Sequence, residues 1–221
     1  MIKGGELKMT TKEANEKLQE LGAQTELVDG GIKIIGNWED EYAPYHEYVV
    51  AITGYLQTSR AKQDPDFLRN LETLGGVDTA NAKQDPGFLR GLKALGVLYT
   101  DFTKQDPRFL SNLKALGGLY TPDAKQHPEF LGGLKAVGRV YTANAKQDPN
   151  FLRNLEVLGG LDTDNVKQDP EFLSGLKELG YLHTADAKQD PGFLSELVVL
   201  GKLFPYNTKQ HPGFLSGLGE N

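Results

Sequence analysis

Residues 92–112, LKALGVLYTDFTKQDPRFLSN, are one copy of a unit that this chain repeats with little change. The Lys-Gln pair within it recurs at residues 62, 83, 104, 125, 146, 167, 188 and 209, an interval of 21 residues without insertion or deletion. A unit of this length has too little apolar surface to fold alone, whereas stacked copies share one continuous core. The repeat therefore predicts a solenoid of eight coils over residues 46–221, each coil being one copy of the unit.

The second half of the unit has the pattern of a short helix. The apolar residues of 107–116 recur at intervals of one, three and three, which places them on one helical face. Asp106 stands at the position of an N-cap, Pro107 at the first helical position and Gly117 just past the end. The pattern predicts a short helix in each coil.

The first half of the unit has the pattern of a strand. Leu98, Thr100, Thr103 and Gln105 largely recur while the residues between them vary, as expected for a strand with one face inward. The predicted fold class is therefore α/β, with parallel strands that are each followed by a short helix on the convex side. The predicted strands contain Leu56, Val77, Leu98, Leu119, Val140, Leu161, Leu182 and Leu203.

The same spacing supports a family resemblance over about residues 53–210. Leu95, Leu98, Thr100, Thr103 and Gln105 match the spacing of the leucine-rich-repeat segment LxxLxLxxNxL, so the chain resembles a short, bacterial-type leucine-rich repeat. Thr replaces its third Leu, Ala, Thr or Val replaces its Asn, and Gln replaces its last Leu. The resemblance implies that the concave sheet face binds partners. The Gln column is expected either to form a buried ladder of stacked amides or to be solvated.

Residues 1–45 do not follow the repeat and predict an N-terminal cap made of a helix and a hairpin. Thr10 with Glu13 resembles a capping box, and Gly22 can end the helix. Asp29-Gly30 is typical of a tight hairpin turn between two apolar runs. The aromatic residues that follow are expected to pack the cap: Trp38, Tyr42 and Tyr45.

Composition limits the class of protein. With 221 residues and 38% hydrophobic content, the chain can bury a sizeable core. It has no cysteine, no apolar run near ~18 residues and no hydrophobic signal core, so we expect a protein of the cytoplasm that contacts no membrane, with a secreted effector as the alternative. The net charge of -6 argues against a general nucleic-acid binder.

The concave face is predicted to carry aromatic side chains in neighbouring coils. If the recurring residues point inward, Tyr99, Tyr120 and Tyr141 point outward in three consecutive coils, beside Phe102 and Asp123. Tyrosine is enriched at binding hot spots, and exposed aromatic rings are unfavourable to leave in water. These five residues are the first candidate binding site.

The Lys column is the second candidate binding site. Ammonium groups stacked at strand spacing favour a bound anion or an acidic partner surface. The alternative is a solvated ladder that nearby Asp residues neutralise and that discourages unwanted association. The column includes Lys83, Lys104, Lys125, Lys146 and Lys167.

No catalytic motif is present in the sequence. There is no phosphate-binding loop, GxSxG or HExxH, and the four His residues have no ligand spacing. The Asp column is expected to cap helices rather than bind metal. We therefore expect a non-enzymatic protein, without cofactor, that binds a protein partner as an inhibitor or adaptor. A small-ligand or polyanion binder that uses the Lys and Tyr residues is the alternative, and an enzyme with an unrecognised site is the third class.

The last coil is expected to leave an unpaired strand edge near Leu203, with Phe204 and Phe214 at its surface. A two-fold contact between two copies of this coil would bury the edge. The sequence therefore also predicts a homodimer through the C-terminal coil, with a monomer shielded by Tyr206 and the tail as the alternative.

Overall fold

A computed structural model describes the chain in segments. These are residues 9–58, 66–81, 85, 87–102, 106, 108, 110–145, 148–167, 169, 171–186, 190, 192–195, 197–206 and 214.

One continuous sheet runs through the molecule, with its strands in sequence order. Strands β1 and β2 form an antiparallel hairpin, and every later strand is parallel to the one before it. In the described segments, no helix is long and apolar enough to cross a membrane. The elements are helix α1 (Thr11–Glu20), β1 (Gln24–Val28), β2 (Gly31–Ile35), a 3₁₀-helix (Asp40–Tyr48), β3 (Val49–Gln57), β4 (Thr73–Asp78), β5 (Ala94–Tyr99), β6 (Ala115–Tyr120), β7 (Ala136–Tyr141), β8 (Val157–Asp162), β9 (Glu178–His183) and β10 (Val199–Phe204).

The parallel-strand solenoid predicted from the repeat is confirmed. From β4 onward, each strand begins 21 residues after the previous one, and equivalent positions pair across the sheet, as Leu98 does with Val77 and with Leu119. Each copy of the unit therefore adds one strand to a growing parallel sheet.

The short helix predicted after each strand is wrong for the described residues. Of the predicted helix over 107–116, residues 110–112 form turns and Leu116 lies in β6. The amide of Leu113 donates to the carbonyl of Leu110 at 3.0 Å, and the amide of Lys114 donates to Lys93 of the preceding coil at 2.8 Å. A helix needs such amides for carbonyls four residues earlier. Main-chain hydrogen bonds between coils therefore take the place of hydrogen bonds within a helix.

The strand was also predicted too far along the chain. Strand β5 begins at Ala94 and ends at Tyr99, so it contains Gly96, whose equivalents were assigned to the end of a helix. Leu95 and Leu98 are both buried although two residues separate them. Since neighbouring side chains of a regular strand alternate between faces, the strand is irregular between these two leucines.

The core consists of columns of identical side chains. Phe172 is fully buried, and its ring stacks at 6.4 Å on Phe151 and at 6.3 Å on Phe193. The predicted inward orientation of Leu98 and Thr100 is confirmed, because both are 0% exposed. Regular repetition thus produces ladders of apolar contacts along the solenoid.

The buried Thr column ties the end of each strand to the next coil. The hydroxyl of Thr142 donates to the carbonyl of Asp162 at 3.2 Å, and its amide donates to the same carbonyl at 2.9 Å. Thr163 bonds in the same way to His183. At Thr142 and Thr163 the buried hydroxyl is therefore satisfied by a main-chain carbonyl of the next coil.

The Gln column is described at Gln126, and Gln105 lies outside the described residues. Gln126 is 6% exposed, and its Oε1 accepts the amide of Asp148 in the next coil at 2.9 Å. The predicted burial holds at this position. The amide oxygen braces the main chain of the next coil here, whereas the ladder prediction required it to bond to another Gln.

A residue in the left-handed conformation follows each described strand from β4 to β9. Phe102, for example, has φ of 54°. Amides of this column donate to the next coil, as Asn144 does to Asp164 at 3.0 Å. Asn and Asp tolerate this conformation better than other non-glycine residues. The column consists of Asn81, Phe102, Asp123, Asn144, Asn165 and Asp186.

We expect Phe102→Asn to raise the free energy of unfolding by about 0.5–1 kcal/mol, since Asn relieves backbone strain at a side chain that is 66% exposed. Urea denaturation measures the change. The reciprocal control, Asn144→Phe, should lower stability by a similar amount. Equal stability of all three proteins would contradict the assignment of strain to Phe102.

The helix and hairpin predicted before the repeat are present. Thr10 and Glu13 form the expected capping box on α1, and β1 pairs with β2 around Asp29-Gly30. Trp38 and Tyr42 are buried against one another at 5.8 Å between ring centroids. These elements join the sheet because β2 pairs with β3, and the role of residues 1–45 as a cap stays a prediction.

Candidate functional site

The three tyrosines predicted to point outward form a contiguous row. Tyr99, Tyr120 and Tyr141, the tyrosine row, are cross-strand neighbours at the ends of β5, β6 and β7. The rings of Tyr99 and Tyr120 stack at 4.9 Å, and those of Tyr120 and Tyr141 lie 5.9 Å apart. All three are partly exposed, so the row offers a preformed aromatic surface.

Glycines two residues before this column make room for further rings on the same face. A Cβ at Gly76 would collide with the ring of Tyr55, and a Cβ at Gly160 would collide with the ring of Tyr181. Tyr55 therefore lies across β4, and Tyr181 lies back across β8. The two rings extend the aromatic surface of the tyrosine row at both ends.

Arg139 lies between two of these rings. Its guanidinium carbon is 5.9 Å from the ring centroid of Tyr120 and 5.7 Å from that of Tyr181, both within reach of cation–π attraction. Its Nε donates to Oδ2 of Asp162 at 2.9 Å, and this bond raises the pKa of Arg139. His183 lies 2.9 Å from Asp164 and 3.5 Å from Asp162. A shallow, open pocket is lined by Arg139, Asp162, Tyr181, His183 and Phe204.

The environment of the face raises the pKa of Tyr99 and of Tyr141. Burial raises the pKa of Tyr99, and the nearby hydroxyls of Tyr55 and Tyr120 raise it further. Burial also raises the pKa of Tyr141, with additional effects from Asp164 and Asp162. At physiological pH Tyr99 and Tyr141 are therefore hydroxyl donors beside carboxylates.

Carboxylates surround the tyrosine row. Asp78 is paired with Tyr99 across β4 and β5, and burial followed by the charges of Asp78 and Asp123 raises the pKa of Asp101. Three acidic side chains are thus close enough to interact at the amino-terminal end of the row. The face is aromatic and acidic there.

The remaining predicted site residues lie on the turns. Phe102 and Asp123 occupy the left-handed position after the strand, and both are exposed. Lys125 and Lys167 are exposed as well, whereas three other predicted lysines lie outside the described residues: Lys83, Lys104 and Lys146. The structure thus brings the three tyrosines together on the sheet and locates the described lysines beyond the turn.

Sequence reasoning missed the residues two positions before the tyrosine row. Tyr55, Arg139 and Tyr181 belong to the same face, but a strand predicted to begin at Leu98 excludes position 97 and its equivalents. The alternation of Gly with larger side chains at that column was the available signal, since small residues in a strand often mark a close approach.

The Asp column braces turns. Oδ1 of Asp148 accepts the amide of Asn150 at 2.9 Å, and Nδ1 of His127 accepts that of Glu129 at 3.2 Å. These are the bonds expected of a capping residue, made here to a turn rather than to a helix. Within the described ranges, no group of three or more His, Cys, Asp or Glu side chains could hold a metal ion.

No protein-family model matches this chain. No curated protein matches it either.

Proposed function

We propose that this chain is a non-enzymatic binding protein that recognises a protein partner through the outward face of its sheet. The observation that carries the proposal is the tyrosine row, three partly exposed rings on a parallel sheet, of which Tyr99 stacks on Tyr120 at 4.9 Å and Tyr141 lies tilted at 5.9 Å from Tyr120. Rings that already contact one another lose little conformational entropy on binding, which favours affinity. Aromatic side chains are also enriched at the centres of protein interfaces.

An inhibitor or adaptor role in the cytoplasm is part of the proposal. We further propose a leucine-rich-repeat-like coil, supported by the buried leucines at the spacing of Leu95 and Leu98 and the turn after the strand. In the proposed coil, turns take the place of the short helix predicted after each strand. In this proposal, residues 1–45 cap the first of eight coils, and the exposed β1 edge faces solvent.

We expect Tyr120→Ala to weaken partner binding by about 2 kcal/mol while changing the free energy of unfolding by less than about 1 kcal/mol, because the ring lies outside the core. The immobilised chain and the variant are compared by affinity capture and mass spectrometry, followed by titration of the captured protein. Tyr206→Ala is the matched control, an exposed tyrosine outside the tyrosine row.

A partner captured equally by the wild-type chain and by Tyr120→Ala would contradict the assignment of binding to this face. Loss of fold in Tyr120→Ala with unchanged binding by the folded fraction would show that the ring belongs to the core. Elution by moderate salt would instead favour the alternative, a polyanion bound through lysines such as Lys125 and Lys167, since phosphate contacts carry a steep salt dependence.

The homodimer through the last coil is also a proposal. In β10, Val199 is 49% exposed and Phe204 48% exposed, and Leu200 and Leu203 are less buried than their equivalents in β9. The predicted exposure of Phe214 is wrong, because its ring is buried against Phe193 in the core. We expect light scattering to give a mass near twice 24.3 kDa, and Val199→Lys to return the monomer mass. A wild-type mass near 24.3 kDa at micromolar concentration would eliminate the dimer.

A further inference from the structure

The carboxyl-terminal half of the sheet face contains a complete site for a guanidinium group. Tyr181 lies across Gly160, Asp162 stands beside it on β8, and Tyr120 supplies a second ring. The chain itself fills this site with Arg139, which bonds to Asp162 at 2.9 Å between the two rings. An aromatic pair with one carboxylate is therefore able to hold an arginine on this sheet.

The amino-terminal half has a similar set of parts in mirrored order, with Tyr99 taking the role that Tyr120 has in the other half. Tyr55 lies across Gly76, Asp78 stands beside that glycine on β4, and Tyr99 supplies the second ring. When strands equally far from Gly118 of β6 are compared, those on its two sides therefore have matching side chains at equivalent positions. Two positions differ: Val97 stands opposite the place of Arg139, and Gln57 stands opposite the place of His183.

Among the described residues no cation is paired with Asp78, whereas Arg139 is paired with Asp162 at the mirrored position. Oδ1 of Asp78 accepts the amide of Ala80 at 2.8 Å, which occupies one carboxylate oxygen. A guanidinium can bond to the other oxygen and lie against aromatic faces, a combination that an ammonium group matches poorly.

We propose that the amino-terminal half of this face binds an arginine side chain from a basic segment of a protein partner, with the guanidinium bonded to Asp78 and packed against Tyr55 and Tyr99. This inference rests on the proposed function and specifies the chemistry of the partner.

Charge complementarity supports a basic occupant. Asp101 lies on the turn beyond the tyrosine row and is close enough to interact with both Asp78 and Asp123. On the other side of Tyr55, a depression is lined by Trp38 and by Glu39, Asp40 and Glu41. A segment with several basic residues would meet carboxylates on both sides of the arginine site.

The test uses a 12-residue peptide of alternating Ser and Arg, with a fluorescein at its amino end and an amidated carboxyl end. Fluorescence anisotropy with the full chain measures its affinity at low and moderate salt. Two control peptides replace Arg by citrulline, which keeps the shape and removes the charge, or by Glu. We expect the citrulline peptide to bind at least about tenfold more weakly and the Glu peptide not to bind.

Variants locate the site on the chain. Val97→Arg recreates the arrangement of Arg139. Because the new arginine would occupy Asp78, we expect it to weaken binding of the Arg peptide at least about tenfold. Val97→Leu, the control at the same position, should bind as the wild type does. Asp78→Asn should also weaken binding, whereas Glu171→Gln, with the same change in net charge on an exposed turn, should not. Thermal melting verifies that each variant is folded.

Equal affinity for the Arg and citrulline peptides would overturn the proposal, and so would binding that is insensitive to Val97→Arg and Asp78→Asn. Self-association of the chain that Val97→Arg abolishes without peptide would identify a second copy as the occupant and would also overturn it. If a captured partner depends on Tyr120 but not on Val97→Arg, the arginine site is wrong and the proposed function stands. If no captured partner depends on Tyr120, the proposed function fails even where the peptide binds through Asp78.

Discussion

Phe172→Ala is expected to lower the free energy of unfolding by about 3–5 kcal/mol. Phe172 is 0% exposed, and its ring is stacked between Phe151 and Phe193 at interplanar angles of 13° and 9°. Removing the ring leaves a cavity whose walls are main chain and stacked side chains from two neighbouring coils. Such walls cannot collapse without breaking the parallel pairing, so the cavity persists. Urea denaturation followed by far-UV circular dichroism measures the loss.

Phe102→Ala is the matched control, because it removes the same ring from a side chain that is 66% exposed. We expect it to change stability by less than about 0.5 kcal/mol. A loss below about 1 kcal/mol for Phe172→Ala would show that the Phe column does not hold the coils together.

The repeat made the solenoid predictable, and the same repeat misled the assignment of helix. Leu110 and Leu113 have helical spacing because a tight turn also brings residues three apart to one side. The spacing of apolar residues does not indicate which carbonyl each main-chain amide bonds to. Lys114 bonds to Lys93 in the preceding coil, and a contact across 21 residues leaves no mark in the local pattern.

The candidate site was predictable in the same partial way. The tyrosines follow from alternation after Leu98, and their mutual stacking follows from the period. Arg139 and Tyr181 were missed because each breaks the repeat once. Their roles depend on Gly160 leaving room for a ring from the next strand, a relation between coils that no single copy encodes.

Adjacent glycines in β6 provide the sharpest test of how closely the coils approach. A Cβ at Gly117 would lie 2.5 Å from the carbonyl oxygen of Gly96 in the preceding strand, whereas the nearest atom to a Cβ at Gly118 is 3.5 Å away. The first distance requires the main chain of one coil to move. The second is ordinary contact. The equivalents of Gly117 form a glycine column through the sheet: Gly75, Gly96, Gly117, Gly138, Gly159, Gly180 and Gly201.

We therefore expect Gly117→Ala to lower the free energy of unfolding by about 2–3 kcal/mol and Gly118→Ala to change it by less than about 1 kcal/mol. Both substitutions add one methyl group to the same strand, so differences in β propensity and in the unfolded chain largely cancel. Urea denaturation of the pair measures the difference. Equal stability of the two variants would mean that the coils can separate at the glycine column without breaking their hydrogen bonds. The fixed spacing on which the stacked tyrosines depend would then be set elsewhere in the coil.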